Sequence, residues 1–262
     1  MNKFQFYYRD YNVQYRMLKY SMNREIAFLA SKMSDVSRKI STRNKRIHNI
    51  QGFQFWIDRL DMFNSNRFYN FYYSMASYKN GIPMSNPDNL KLDDESWNEH
   101  QQNEICSYDF LIDIDAGDLD DMRYAVDSAK SIKKLFDELN VPYQLRFSGM
   151  GFHFITSYDK LLNKSFLSSD KDNIYSFYIK IAKYLYSNFS EMIDMGMYDS
   201  RRLCKIPYSL SIYDDYAFIC SPVSSLENFD FNDYILSKNI LIPDIIHNPN
   251  GNILKLAEKA GA

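Results

Sequence analysis

Two acids close an apolar run at Phe110-Leu111-Ile112-Asp113-Ile114-Asp115. On an extended strand, positions i and i+2 share a face, so the carboxylates of Asp113 and Asp115 project together. Side by side they repel, and both stay ionised only if a cation lies between them. Oxygen donors of this kind suit hard divalent ions such as Mg²⁺ or Mn²⁺. Two acids at a strand end facing water give the same pattern and no chemistry. Position favours the first reading, because the apolar residues demand a buried strand and acids at its end open into a cleft.

Ser148-Gly149-Met150-Gly151-Phe152-His153 is the second feature. Two glycines two residues apart let the backbone approach a bulky anion and turn N–H groups toward it. Ser148 can donate a hydroxyl hydrogen bond, and His153, on the strand leaving the turn, can donate to a phosphate oxygen. An ordinary glycine-containing hairpin followed by a structurally satisfied histidine fits the same residues. Further on, Asp194 is flanked by apolar residues and precedes a run in which Arg202 and Lys205 stand three apart. Asp194 can supply a third metal oxygen, and the two cations can hold a triphosphate tail. A strand end followed by a surface basic run is the plainer alternative. Upstream, Arg38, Lys39, Arg43, Lys45 and Arg46 cluster ahead of Phe53, Phe55 and Trp56. That cluster is either a solvated face or a patch that tracks phosphates while the rings stack on bases.

Periodicity indicates the elements that must position these residues. Asn23 to Ala30 reads as the start of an apolar strand or a helical turn, and Tyr108 to Asp115 as a strand. Met122, Val126, Ala129, Ile132, Leu135, Phe136 and Leu139 recur at three-to-four spacing. They predict an amphipathic helix between Asp121 and Leu139, with Asp118 to Asp121 at its N-terminal end and Val141-Pro142 as its stop. Strands over Tyr143 to Phe147 and Phe152 to Thr156 flank the Ser-Gly turn. A second helix follows at about Asn173 to Phe189, and a strand around Tyr216 to Cys220. This order describes an α+β module with a mixed or antiparallel sheet, not a doubly wound parallel one. Residues 80–104 are polar and broken and read as a long surface loop. Leu254 to Ala262 looks like the beginning of a helix cut short.

Composition narrows the function classes. The chain has 262 residues, 45% of them hydrophobic, enough to bury a sizeable core. Lys and Arg total 31 against 33 for Asp and Glu, which excludes a uniformly basic nucleic-acid coat and leaves room for a local basic groove. Cys106, Cys204 and Cys220 form no Cys-x-x-Cys pair, which argues against a disulfide scaffold and an all-cysteine zinc site. Arg9 and Asp10 precede any apolar run, so no signal peptide is visible. No apolar stretch approaches the roughly 18 residues of a membrane span. These features predict a soluble intracellular protein of the cytoplasm or nucleoid, with reduced thiols and no membrane partner.

Taken in order, the three motifs resemble those of the archaeo-eukaryotic primase superfamily, nearest to the small catalytic subunit of archaeal primase and the primase-polymerases. That family carries an Asp-x-Asp or Asp-x-Glu motif, then a Ser-x-His-type motif, then an apolar-Asp motif trailed by a basic run. Here these look like Asp113/Asp115, Ser148 with His153, and Asp194. The likeness extends to Arg24-Glu25-Ile26-Ala27-Phe28, to Tyr72-Tyr73-Ser74-Met75-Ala76-Ser77-Tyr78, and to Arg202-Leu203-Cys204-Lys205-Ile206-Pro207-Tyr208-Ser209-Leu210. It spans about residues 20 to 212. Met150 stands where archaeal relatives often have an Arg, and Ser211 and Tyr213 where they have a His and then a Lys. The family's zinc-binding cysteines have no counterpart.

The resemblance implies a primase-type catalytic core. An N-terminal α/β portion over 1–105 would form a cleft with an RRM-like catalytic module over 106–225, followed by a C-terminal extension, truncated, over 226–262. The implied activity is that of a DNA primase or primase-polymerase, a template-directed nucleotidyltransferase using two ions of Mg²⁺ or Mn²⁺ and no zinc. Asp113, Asp115 and Asp194 would be the catalytic metal ligands. Ser148, Gly149, Gly151, His153, Arg202 and Lys205 would hold the incoming nucleoside triphosphate. Arg38, Lys39, Arg43, Lys45 and Arg46, with Phe53 and Trp56, would line the path of a single-stranded DNA template. In the family a large primase subunit or an accessory C-terminal domain often assists. Two other classes use the same residues: a metal-dependent nuclease or phosphodiesterase, and a catalytically weakened nucleic-acid-binding relative.

Overall fold

The computed structural model describes residues 3–32, 35–45, 47–63, 67–78, 105–157, 171–198, 202–213, 216–238 and 242–262. They group into two compact units, Met1–Cys106 with Leu203–Leu210, and Ser107–Arg202 with Ser211–Ala262. The last segment, 226–262, groups with the second unit.

In the first unit, helices α1 (Lys3–Arg9) and α2 (Tyr11–Ser21) meet at Asp10. Its carboxylate caps α2 by accepting the Asn12 and Val13 N–H groups at 2.7 and 3.4 Å. Strand β1 (Ile26–Lys32) pairs antiparallel with β2 (Asp35–Lys45) and with β3 (Arg67–Ser74), and helix α3 (Ile50–Phe63) connects the latter two. The core between helix and sheet is aromatic: Phe53 and Phe28 both pack on Phe71, at 6.0 and 5.9 Å between ring centroids. Phe53 is fully buried there, so it cannot stack on a base. Helical spacing puts Phe53 on the inner face with Ile57, and Phe55 outside.

Three stretches of that unit that are distant in the chain are neighbours on one sheet. Arg24 donates through Nη1 to the carbonyls of Ser74 and Met75 at 2.7 and 2.8 Å and lies over the Tyr73 ring. The Ser74 N–H donates to the Glu25 carbonyl at 2.9 Å, and the Glu25 N–H to Ser74 Oγ at 3.0 Å. Strand β9 (Leu203–Lys205) completes the sheet order β2-β1-β3-β9, pairing Cys204 with Tyr73. Just beyond it, Ser209 Oγ accepts the Phe71 N–H at 2.7 Å.

The expected strand from Tyr108 to Asp115 is two: β5 (Ile105–Tyr108), paired with β4 (Ala76–Tyr78), and β6 (Phe110–Asp115), with the buried Asp109 between them. Then follow α4 (Met122–Glu138), β7 (Gln144–Phe147), β8 (Gly151–Thr156) and α5 (Lys171–Asn188). The later strands are β10 (Leu210–Tyr213), β11 (Tyr216–Ile219) and β12 (Ser221–Pro222). The main sheet has the order β12-β7-β8-β6 with antiparallel neighbours. On the free edge of β6, Ile114 bridges Ile193, just after α5. A split strand-helix-strand with the third strand in the middle is the RRM-like arrangement expected. One sheet face carries Ile112, Ile114, Leu145, Phe147, Phe152 and Phe154, all buried. Helix α4 covers it through Phe136, 5.6 Å from Phe154, and α5 through Tyr178, 4.9 Å from Phe110. The opposite face carries Leu111, Asp113, Asp115, Arg146, His153 and Ile155.

The final helix α6 (Leu254–Ala260) packs on α5 and stops at its own C-cap, where the Gly261 N–H donates to the Glu258 carbonyl at 3.2 Å. No helix among the described residues is long and apolar enough to cross a membrane.

The segment before α6 is tied to the sheet by a stacked pair. Tyr143 bridges His247, and their rings lie 4.6 Å apart at 8°. The Tyr143 hydroxyl donates to Asp137 at 2.9 Å, and Asp137 also accepts from Lys133 and Asn248. Burial holds His247 below its usual 6.5, Lys133 adding to the effect and Asp137 opposing it. As the pH falls, the unfolded chain therefore takes this proton before the folded one does. The stability involved is complete above 6.5 and is lost on acidification toward the lowered value. His247→Phe keeps the stack and removes the proton site. Its urea midpoint should fall less than the wild type's between about pH 6.5 and about pH 5; parallel curves would show that His247 does not set this slope.

Candidate active site

Antiparallel pairing lines up one row of polar side chains on the face away from α4 and α5. Asp113 on β6 is opposite His153 on β8, and His153 is opposite Arg146 on β7. Asp194 extends the row. Its N–H donates to the Asp113 carbonyl at 2.9 Å, and the Asp115 N–H donates to the Met192 carbonyl at 3.0 Å. These two bonds bracket the Ile114–Ile193 bridge, so Asp194 is in register with Asp113. Residues opposite each other in such a pair share a face, with Cβ atoms about 5 Å apart. The row therefore reads Arg146, His153, Asp113, Asp194, with Asp115 one pleat further along the same face.

Each member has a defined partner. His153 is buried, with Nε2 3.4 Å from Asp113 Oδ1. Arg146 is also buried, and its Nη2 donates to Gln144 Oε1. Asp115 is exposed and turns back to accept the Gly117 N–H at 3.0 Å. Asp194 accepts the Gly196 N–H on Oδ1 at 2.8 Å and Arg202 Nη2 on Oδ2 at 3.0 Å. Tyr198 anchors the chain after this turn, its hydroxyl donating to the Leu111 carbonyl at 3.0 Å. Burial, then the nearby charges of Asp113 and Asp194, push the Tyr198 hydroxyl far up, with Arg202 working the other way. It stays protonated throughout the physiological range.

Hard carboxylate oxygens at three positions of one face suit Mg²⁺ or Mn²⁺. Among the described residues, however, no three His, Cys, Asp or Glu side chains converge on a common ion position. The hydrogen bonds explain it, since Asp115 is folded onto Gly117 and Asp194 is held by Gly196 and Arg202. For the three carboxylates to share an ion, the Asp115 and Asp194 side chains would have to rotate out of these bonds.

The Ser-Gly turn sits at the same end of the sheet. The Ser148 N–H donates to the Gly151 carbonyl at 2.9 Å, and the Ala116 N–H to the Met150 carbonyl at 2.8 Å. Gly149 has a φ of +105°, and a Cβ there would lie 2.3 Å from the Ser211 Cβ. A Cβ on Gly151 would lie 1.8 Å from the Ile114 carbonyl oxygen. Both glycines are thus required by close packing, whatever the turn binds. Lys205 lies in the other unit, opposite Tyr72 on β3. Arg38, Lys39, Arg43 and Lys45 lie on β2, while Arg46 and residues 80–104 fall outside the described residues.

Sequence reasoning left the Gly196 amide and the Tyr198 hydroxyl without a role. Asp194-Met195-Gly196 carries the signal of a side chain folding onto the amide two residues on. Alternation through Gln144, Arg146 and Ser148 puts Arg146 on the face of Ser148.

No family model matches the chain, and no curated protein matches its sequence. Among solved structures, it is similar to the crystal structure of primase RepB′, with a TM-score of 0.43 and 10% identity over 95% of this chain and 61% of that one. It is also similar to the catalytic domain of primase RepB′ in complex with initiator DNA, with a TM-score of 0.41 and 10% identity over 95% of this chain and 92% of that one. The chain spans 61% of the length of the first of these. Likeness this low carries no argument about activity.

Gly151→Ala should cost more than about 3 kcal/mol, because the obstacle is β6 backbone rather than a movable side chain. Urea denaturation measures it, and a variant as stable as the wild type would show that the turn is not pinned to β6.

Proposed function

We propose that the chain is a template-directed nucleotidyltransferase of the primase or primase-polymerase type, extending or starting DNA from nucleoside triphosphates on a single-stranded template. The observation that carries the reading is the bond from the Asp194 N–H to the Asp113 carbonyl. It gathers onto one sheet face three acids that sequence alone had grouped.

Asp113, Asp115 and Asp194 would hold two divalent ions, which when bound make a 3′-hydroxyl nucleophilic and neutralise a leaving pyrophosphate. His153, kept in place by Asp113, carries donor capacity suited to a phosphate oxygen. Ser148 and the backbone around Gly149 and Gly151 suit the same triphosphate, with Arg202 as a countercharge. Tyr198 keeps its proton and acts by fixing the chain at Leu111. Arg38, Lys39, Arg43, Lys45 and Arg46 are assigned to the template, without Phe53. Catalysis of this kind is mostly positioning and electrostatics.

Losing both Asp113 and Asp115 to Ala should abolish primer extension with Mg²⁺ or Mn²⁺, and Asp194→Ala should lower its rate by at least about 10²-fold. Extension retained by the double variant refutes the assignment. Labelled single-stranded DNA that shortens without nucleotides, instead of lengthening with them, would indicate a nuclease. Neutralising the basic cluster should reduce the slope of log affinity against log salt by about 0.7 for each phosphate no longer neutralised. An unchanged slope removes the cluster from the template path.

A further inference from the structure

Asp194 and Arg202 are bonded to each other, although the reading above assigns one to cations and the other to an anion. Both carboxylate oxygens are engaged, Oδ1 by the Gly196 N–H and Oδ2 by Arg202 Nη2 at 3.0 Å. The guanidinium is less completely satisfied. Nη1 reaches the Gly196 carbonyl only at 3.4 Å, and the buried Nε has no hydrogen-bond partner among the described residues. A buried donor without an acceptor carries a desolvation cost that any incoming acceptor relieves. Arginine's planar fork matches a phosphate through two parallel N–H groups, and Nε with Nη2 forms one such edge.

We propose that Arg202 is an exchangeable counter-ion. In the ligand-free chain it occupies the Asp194 carboxylate, and it moves to the phosphates of the nucleotide as a divalent cation takes its place on Asp194. This rests on the functional reading above and adds a mechanism of coupling to it. Three acids on one face repel in the absence of metal, and Arg202 offsets part of that charge. The pair is part-exposed, at 30% for Arg202 and 42% for Asp194. Solvent screening keeps such a bond weak enough to exchange. Cation and nucleotide then favour each other's binding, and by linkage the coupling is reciprocal.

The test is calorimetric titration of the full chain with Mn²⁺ alone, for the wild type, Arg202→Gln and Asp194→Asn. Removing the competitor should make Arg202→Gln bind Mn²⁺ about fivefold more tightly than the wild type. Asp194→Asn should bind it more weakly than the wild type. At saturating Mn²⁺, Arg202→Gln should bind dATP about tenfold more weakly. If Arg202→Gln binds Mn²⁺ no more tightly than the wild type while Asp194→Asn still weakens it, the exchange is wrong and the metal site stands. If Asp194→Asn binds Mn²⁺ as the wild type does, or none of the proteins binds it, both fall. Should Arg202→Gln not fold, the ¹⁵N resonance of Arg202 Nε in the wild type decides: it should shift when Mg²⁺ and dATP are added together, and an unmoved resonance overturns the proposal.

Discussion

The site depends on a single strand edge. In the order β12-β7-β8-β6, the last strand has one side on which its backbone groups have no strand partner among the described residues. Buried N–H and C=O groups are costly to leave unpaired. The chain leaving α5 supplies the partners, with Asp194 giving its N–H to the Asp113 carbonyl and Met192 taking the N–H of Asp115. Where the chain leaves α5 is fixed in turn by Tyr178, whose ring packs on Phe110 and whose hydroxyl donates to the Tyr108 carbonyl at 2.6 Å. Apolar packing on one face of β6 thus determines which acid arrives on the other.

The polar groups on that face find partners within the same unit. Asp113 has His153 beside it, Asp194 has Arg202, and Arg146 ends the row two strands away. Asp115 lies in water, where its charge is cheap. Tyr198 contributes a dipole and no charge, because burial and then the two acids nearby oppose its ionisation.

Much of the second unit was legible because its elements are strongly periodic. Helices α4 and α5 and strands β7 and β8 fall within a few residues of their expected places, and the parity of Asp113 and Asp115 on β6 follows from alternation alone. The first unit was less legible. Its Tyr, Phe and Asn residues suit helix and strand alike, so α1, α2 and the pairing of β1 with β2 were not foreseen. Phe53 was misread for the same reason: without α3, nothing in the sequence tells an inward ring from an outward one. At the site, the glycines of the Ser-Gly turn look identical whether they cradle an anion or let Ser211 and β6 approach. The Arg202–Asp194 pair was out of reach because it depends on side-chain torsions, which spacing does not encode.

The bridge that carries Asp194 is short. Two backbone bonds and one apolar pair, Ile114 with Ile193, hold it, whereas β8 pairs with β6 over the whole length of both strands. Segments fixed by few bonds open by local fluctuation well below the free energy of global unfolding. The amide protons of Asp194 and Asp115 belong to such a segment, and those of β8 do not. Solvent deuterium would enter the edge of the sheet first, so one of the three acids rides on the least protected backbone of its own site.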